Sequence, residues 1–436
     1  MSCNNNNRGI DKGVQRMKNH LLIAVVFLAQ GWLFGQSLIN TAHLDHLYKE
    51  RTVQGKSFGI IGIYSEYPDY KIVEDADEGW ACVDDAARAA VFYLNHYRLT
   101  ANEESFRKAK QLTRFLLFMQ APNGYFYNFI FSNDSVNSDF RTSLAEPNWW
   151  TWRAFFALSE LFVPVRTNDP ALADSMASAM NALIAKVSPL YNKEKTYKTI
   201  EGFSVPCWLP WEHASDQAAV IIKAAANHFK FSQDPRSLML LKSMAEGILQ
   251  MQLSDSSSHF DGLFLSWENS WHGWGNNQAD ALLDAYEITR DGRCLQAALK
   301  EIDNVHPYMI EQKYFSELNF KNINGSVKIL ASKSDGQIAY IMRPMIWASM
   351  HAYRITGKEN YLTGAIKMCG WFFGGNIAKV KMYNPETGRT FDGINSPEKV
   401  NLNSGAESTV ETLLALSVME LNPRAKQEML NTYINK

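Results

Sequence analysis

One pattern recurs six times along this chain and leaves it few folds. An apolar helical stretch runs into a short polar turn and then a second helical stretch. It occurs at YLNHYRLTANEESFRKAKQL, ALSELFVPVRTNDPALADSM, AANHFKFSQDPRSLMLLKSM, LLDAYEITRDGRCLQAALKE, SMHAYRITGKENYLTGAIKM and ALSVMELNPRAKQEMLNTYI. The turns near Thr100, Asn168, Asp234, Asp291, Gly357 and Pro423 are spaced by roughly 57–68 residues, a supersecondary period. No single hairpin can bury its own apolar face, so six of them close most simply into an all-α (α/α)6 toroid. Strand signals are few. Ser57–Tyr64 is Gly-rich and β-branched and Gly124–Phe131 alternates loosely, which predicts short extended pieces on the rim.

The chain has 436 residues, 46% of them hydrophobic, and shows no composition shift, so a single domain over 37–436 is expected. Ahead of it, Lys18 and His20 precede an apolar run, Leu21–Phe34, followed by Gly35-Gln36-Ser37. The run is too short to span a bilayer and reads as a secretory signal over 1–36, with Met17 as an alternative start. Export to the periplasm or beyond follows, with no stable membrane span after cleavage. Cys3 lies upstream of the apolar run and is not placed for lipidation. Cys82, Cys207, Cys294 and Cys369 form no CxxC pair and read as free thiols in apolar surroundings.

The directional consequence of the repeat is the useful one. In each hairpin the residue-rich loop precedes the first helix, while the turn to the second is plain and polar. First helices that run parallel as an inner ring bring all six loops to one end, a concave mouth that is the default site. The loops hold Trp80, Asp84, Asp85 and Arg88; Glu146, Trp149, Trp150 and Arg153; Trp208, Trp211, Glu212, His213 and Asp216. The later three hold Trp267, Glu268, Trp271, His272 and Trp274; Asp335 and Arg343; Asn403 and Glu407. Twelve Trp in one chain, most of them in loops, suit the flat faces of sugars better than they suit a solvated connector. Trp152, Trp347 and Trp371 fall on helical periodicity and read as core.

The repeat plan and the element HGWGNNQADALLDAY resemble the six-hairpin glycosidase superfamily, and VDDAARA and NLNSGAEST are similar to toroidal domains found beside some bacterial glycosyltransferases and mannoside-active enzymes. The resemblance covers nearly all of the chain after the signal. It implies the toroid and a carbohydrate substrate. It carries over no catalytic assignment, because acid positions vary among members.

Glycoside cleavage needs two carboxyl groups flanking one bond, one protonated and one ionised. Crowded acids in an aromatic mouth have their pKa values pushed apart, which supplies both forms at neutral pH. The expected catalytic carboxyls are Asp85, Glu146, Asp335 and Glu407, with Glu146 or Glu407 as acid, Asp85 or Asp335 as base, and an inverting course. The competing reading of each is a helix cap or first-turn acid. Expected substrate contacts are Trp80, Asp84, Arg88, Trp149, Trp150, Trp208, Trp211, His213, Asp216, Glu268, Trp271, His272, Trp274 and Asn403. Two other classes stay open: an epimerase or lyase using His213 and His272, and a non-catalytic glycan-binding toroid that needs the aromatics but not the acids.

A net charge of -2 gives no basic footprint for nucleic acid. HExxH, GxSxG, GxGxxG and P-loop patterns do not occur, so no metal or cofactor is expected. The acidic run Glu74–Glu78 reads as a solvated loop. Oligomeric state stays open.

Overall fold

A computed structural model describes residues 36–192 and 194–435. The apolar run and charged flank read as a signal lie outside the described residues. A short helix, α1 (Ala42–Leu47), leads into the hairpins. They are α2 (Val83–Thr100) with α3 (Glu103–Phe118), α4 (Trp149–Asn168) with α5 (Pro170–Tyr191), and α6 (Ser215–Ser232) with α7 (Pro235–Gln250). Next come α8 (Gln278–Thr289) with α9 (Gly292–Glu311), α10 (Ala339–Thr356) with α11 (Glu359–Cys369), and α12 (Ala406–Glu420) with α13 (Pro423–Met429).

The first helices pack side by side in the order α2, α4, α6, α8, α10, α12, and α12 closes back on α2. This is the (α/α)6 toroid. Ring closure explains the two kinds of helix in the sequence. An inner helix is covered by the outer ring, by two neighbours and by the axis, so burial runs almost without a break from Asp85 to Leu94 in α2 and from Ser215 to Ala226 in α6. An outer helix buries one stripe, such as Phe106, Ala109, Leu112, Phe115 and Leu116 in α3. Small residues let the inner helices approach closely, as at Ala86, Ala87, Ala89 and Ala90.

The polar turns are capping devices. Four first helices end in the left-handed region, at Ala101, Gln233, Arg290 and Gly357. The second helices open on side-chain caps. Asn102 accepts from the Ser105 amide, Asp234 from Arg236, Asp291 from Arg293, and Asn422 from Arg424 and Ala425.

The extended pieces are longer than the sequence reading allowed. Tyr48–Val53 with Lys56–Ile61, Tyr197–Ile200 with Phe203–Pro206, and Glu317–Ile323 with Ser326–Lys333 are antiparallel hairpins. Their two-residue turns are Gln54-Gly55, Glu201-Gly202 and Asn324-Gly325, each with both φ positive, the backbone of a type I′ turn. The Asn-Gly pair between alternating runs was the missed signal. The third hairpin continues through Ser270–His272 into a three-stranded sheet, so it rises from the fourth loop of the mouth. Its tip meets that of the second: the Asn322 amide donates to the Glu201 carbonyl at 2.8 Å. Gly202 is required there, since a Cβ would fall 2.1 Å from the Asn322 carbonyl oxygen.

Cys82, Cys294 and Cys369 are buried free thiols, and Cys207 is a half-buried one. No helix among the described residues is long and apolar enough to cross a membrane.

Candidate active site

At the mouth the inner helices meet around one guanidinium. Arg88, one turn into α2, donates from Nη2 to Asp85 Oδ1 (2.6 Å) and from Nη1 to both Glu407 Oε2 (3.0 Å) and Glu411 Oε1 (3.0 Å). Asp84 Oδ2 stands 3.8 Å from the same group. Glu411 also accepts from Arg343 Nε at 2.6 Å, and Arg343 Nη1 donates to Asn277 Oδ1 at 3.0 Å. Arg153 Nη1 is 2.7 Å from Asp84 Oδ1, an ion contact without hydrogen-bond alignment. Arg153 Nη2 and Asn277 Nδ2 both donate to the Tyr340 hydroxyl, at 2.9 and 3.1 Å. The guanidinium carbons of Arg88, Arg153 and Arg343 lie 5.6, 4.8 and 5.1 Å from the centre of the Tyr340 ring.

Burial sorts these carboxyls. Asp85 is buried, and desolvation raises it to about 6 against the pull of Arg88. Glu411 is fully buried. Burial alone would raise it, but Arg343 and Arg88 outweigh that and hold it below the usual range. Glu407 and Asp84 face outward, with side chains 44% and 22% exposed. A further acid, Asp392, was not anticipated. Its Oδ1 accepts from the Gly405 amide (2.6 Å) and the Ser408 hydroxyl (2.7 Å), and burial pushes it up, with Glu407 adding to the rise. Asp84, Asp85, Asp392, Glu407 and Glu411 thus outnumber Arg88, Arg153 and Arg343, so the mouth is acidic.

The expected concave mouth is shallow. Beneath the loops the axis is filled by Arg88, Arg153, Arg343, Tyr340 and Trp347, leaving a cavity of about 40 Å³. That holds a few waters and no sugar. A ligand must lie above this floor, where Glu407 and Asp84 open to solvent.

Several expected site residues are placed otherwise. Asp85 is buried, with Oδ1 taken up by Arg88. Asp335 is exposed at the foot of the 317–333 hairpin and has no contact with the Arg88 cluster. Glu146 Oε1 accepts from Asn148 Nδ2 at 3.1 Å, a local contact at the start of α4. Trp150, Trp208 and Trp271 are buried. The Trp150 indole donates to the Phe126 carbonyl at 2.7 Å and Trp208 to that of Ser243 at 3.1 Å, so these rings hold the loops down. Trp80 and Trp149 are half-buried beneath Arg51 and Arg153, at 4.7 and 5.3 Å. Asn403 Oδ1 accepts from the Tyr67 amide at 3.0 Å.

Both loop histidines are enclosed. His213 is buried and donates from Nδ1 to the Pro206 carbonyl at 2.7 Å. His272 Nε2 lies 3.1 Å from Asp216 Oδ2, and its Nδ1 is buried without a partner. That nitrogen faces Gly275, where a Cβ would sit 2.8 Å from it. One face of the imidazole stacks on Trp274, with centroids 4.4 Å apart. Burial, with His272 opposing, raises Asp216. The pair therefore supports an indole.

The exposed loop indoles are Trp211, Trp267 and Trp274, at 54%, 44% and 37%. They belong to the third and fourth loops, which are tied together where the Ser215 and Asp216 amides donate to the Ser266 carbonyl at 3.0 and 3.3 Å. Trp211, Glu212 and Glu268 have φ of 48°, 68° and 50°, left-handed backbone that costs a non-glycine residue on the order of 1 kcal/mol each.

Among the described residues, Asp280, Asp284 and His351 are grouped closely enough to hold a metal. They lie deeper along the ring, towards the far end, and Lys223 Nζ already binds Asp280 and Asp284 (2.9 Å to the latter). The donor set is saturated by an ammonium and does not fit a metal as it stands.

No protein-family model and no curated protein matches the sequence. Solved structures do match. A cellobiose 2-epimerase from Bacillus thermoamylovorans is similar at 13% identity, over 86% of this chain and 94% of that one, with a TM-score of 0.56. A family 76 glycoside hydrolase from a bovine Bacteroides thetaiotaomicron strain is similar at 12% identity, over 89% and 78%, with a TM-score of 0.58. A D-mannose isomerase is similar at 13% identity, over 83% and 92%, with a TM-score of 0.57. What is shared at such identity is the architecture. Ring closure, the six loops at one mouth and these alignments agree, and the chain has the six-hairpin glycosidase-like (α/α)6 toroid fold.

Proposed function

We propose that the protein hydrolyses a glycosidic bond with carboxyl groups at the mouth of the toroid, Glu407 being the central one. The observation that carries this reading is the sharing of Arg88 by Glu407 and Asp84, which come from the last and first hairpins and both reach solvent. Bound to one guanidinium, those oxygens are at most about 9 Å apart, which does not exceed the ~9.5 Å upper limit of glycosidase carboxyl pairs. Glu407 suits the base or nucleophile, its oxygen aimed by Arg88. The candidates for proton donor are Asp84, on the other side of the guanidinium, and Asp392, which burial raises. Asp85 and Glu411 hold Arg88 from behind.

The matched proteins include sugar epimerases, an isomerase and a polysaccharide lyase as well as glycoside hydrolases, each of them carbohydrate-active by its name. Hydrolysis is favoured over a histidine-based reaction because the unpartnered nitrogens of His213 (Nε2) and His272 (Nδ1) are both buried, and the other nitrogen of each faces a protein oxygen. It is favoured over a purely binding role because sugar stacking has no need of an acid-rich cluster around Arg88.

The test is to offer the protein a panel of plant, algal and microbial glycans and read product anomers by NMR, which also decides inversion against retention. Turnover that survives Glu407→Gln, Asp84→Asn and Asp392→Asn but is abolished by His272→Ala would remove the reading.

A further inference from the structure

The order of packing around the ring sets two unlike walls face to face. The outward carboxyls Asp84 and Glu407 belong to the first and sixth hairpins, which are neighbours. Trp211, Trp267 and Trp274 belong to the third and fourth, which in a closed ring of six stand directly opposite. Helices packed 8–10 Å apart put opposite sectors of such a ring roughly 16–20 Å from each other. Between the walls the floor is filled, with about 40 Å³ left beneath it.

We propose that the third and fourth loops form a platform for a glycan chain, and that the substrate is an oligo- or polysaccharide lying across the mouth rather than a single sugar seated in a pocket. This rests on the reading that the acidic wall carries the reaction.

Three observations meet here. Among the described residues the three indoles are the exposed Trp rings, and with Glu212, Glu268 and Asn269 next to them in the chain they offer apolar faces and polar groups to a sugar, whose ring faces are apolar and whose edges carry hydroxyls. Their exposure is built. Trp211 and Glu212 hold successive left-handed conformations, and Trp274 rests on His272, itself backed by Asp216, with Gly275 letting the loop close over the imidazole. Lastly, a closed floor excludes deep seating of one terminal sugar, while an open mouth with binding on one side and acids on the other suits a chain.

Native affinity electrophoresis tests this with gels containing yeast mannan, xylan, barley β-glucan or polygalacturonate as probes. Wild type and Glu407→Gln are expected to be retarded equally by at least one polymer, and its monosaccharide should not compete. Trp211→Ala, Trp267→Ala and Trp274→Ala should each weaken retardation by about 2–10-fold, as loss of one aromatic contact does. The triple variant should migrate as in a plain gel. All three side chains are exposed, and circular dichroism verifies that the fold is kept. Wild type retarded by none of the polymers, a triple variant retarded as strongly as wild type, or full competition by a monosaccharide would overturn the platform. Retardation that depends on the Trp residues alongside turnover indifferent to Glu407 would instead leave the platform standing and remove hydrolysis.

Discussion

The toroid carries buried charge at two levels of its axis, and the two clusters differ in what they leave free. At the mouth, three arginines face five carboxyls, and Glu407 and Asp84 reach solvent. Towards the far end, Lys223 is held by Asp280 and Asp284. His351 Nδ1 lies 2.8 Å from Asp280 Oδ1 and its Nε2 is 3.7 Å from Glu287, which Arg354 holds at 2.8 Å. There Lys223, His351 and Arg354 balance Asp280, Asp284 and Glu287. A cavity of about 540 Å³ opens beside this cluster, far larger than the one under the mouth. Cavity volume and perturbed ionisation would favour the far end over the mouth. What distinguishes the mouth is surplus acid that reaches solvent, with exposed indoles on the opposite wall, whereas the far end pairs its charges one for one.

Four measurements bear on this contrast, the largest effect first. Glu407→Gln should lower turnover by about 10²–10⁴-fold with little change in melting temperature. Asp335→Asn, exposed and outside the cluster, should leave turnover near wild type. Equal losses in the two would erase the special standing of the Arg88 cluster.

Lys223→Met should do the reverse. It strands buried Asp280 and half-buried Asp284 and should cost about 3 kcal/mol in denaturant unfolding, while protein that remains folded keeps its turnover. A variant as stable as wild type but inactive would make the far end part of the site.

The third measurement follows stability with pH. Burial, the largest influence on His351, lowers its pKa, but the bond to Asp280 and the nearby carboxylates of Glu287 and Asp284 outweigh it and raise it to about 9. A folded-state pKa above the unfolded one means the contribution is complete below about 6.5 and is lost as pH rises through about 9. Melting temperature should fall between pH 7 and 10, and His351→Asn should flatten that fall. An unchanged slope in the variant would show that His351 is not charged in the fold.

The smallest effect concerns Glu301, buried away from both clusters and raised to about 8 by desolvation, with its carboxyl accepting from the Phe264 amide at 3.1 Å. Here too the folded value is the higher, so its stabilisation is complete below about 4.5 and fades as pH climbs through about 8. Glu301→Gln keeps an acceptor and removes the charge. It should make melting less dependent on pH between 5 and 8, leaving activity untouched. Were the dependence to persist, another buried acid would have to account for it.

By itself, the sequence determined the six hairpins, their polar turns and the meeting of six loops at one end. Helical periodicity, capping side chains and chain direction are local properties, written within a few residues of where they act. The same local reading found Arg88, Asp84, Glu407, Trp211 and Trp274. It could have found the 317–333 hairpin from Asn324-Gly325, and an i, i+4 count from Glu407 would have drawn attention to Glu411. Only the tertiary structure decided which charges meet. Arg88 and Glu411 are 323 positions apart and become partners because the last hairpin closes on the first. Asp392 was missed because it sits early in the long sixth loop, and the pairing of Gly393–Ser396 with Lys399–Asn401 turns that loop back to set it against Gly405 and Ser408. Tertiary packing also separated exposed indoles from buried ones. Trp208 and Trp211 stand in one loop with the same local character, and the neighbouring helix that covers one and not the other is placed by the ring.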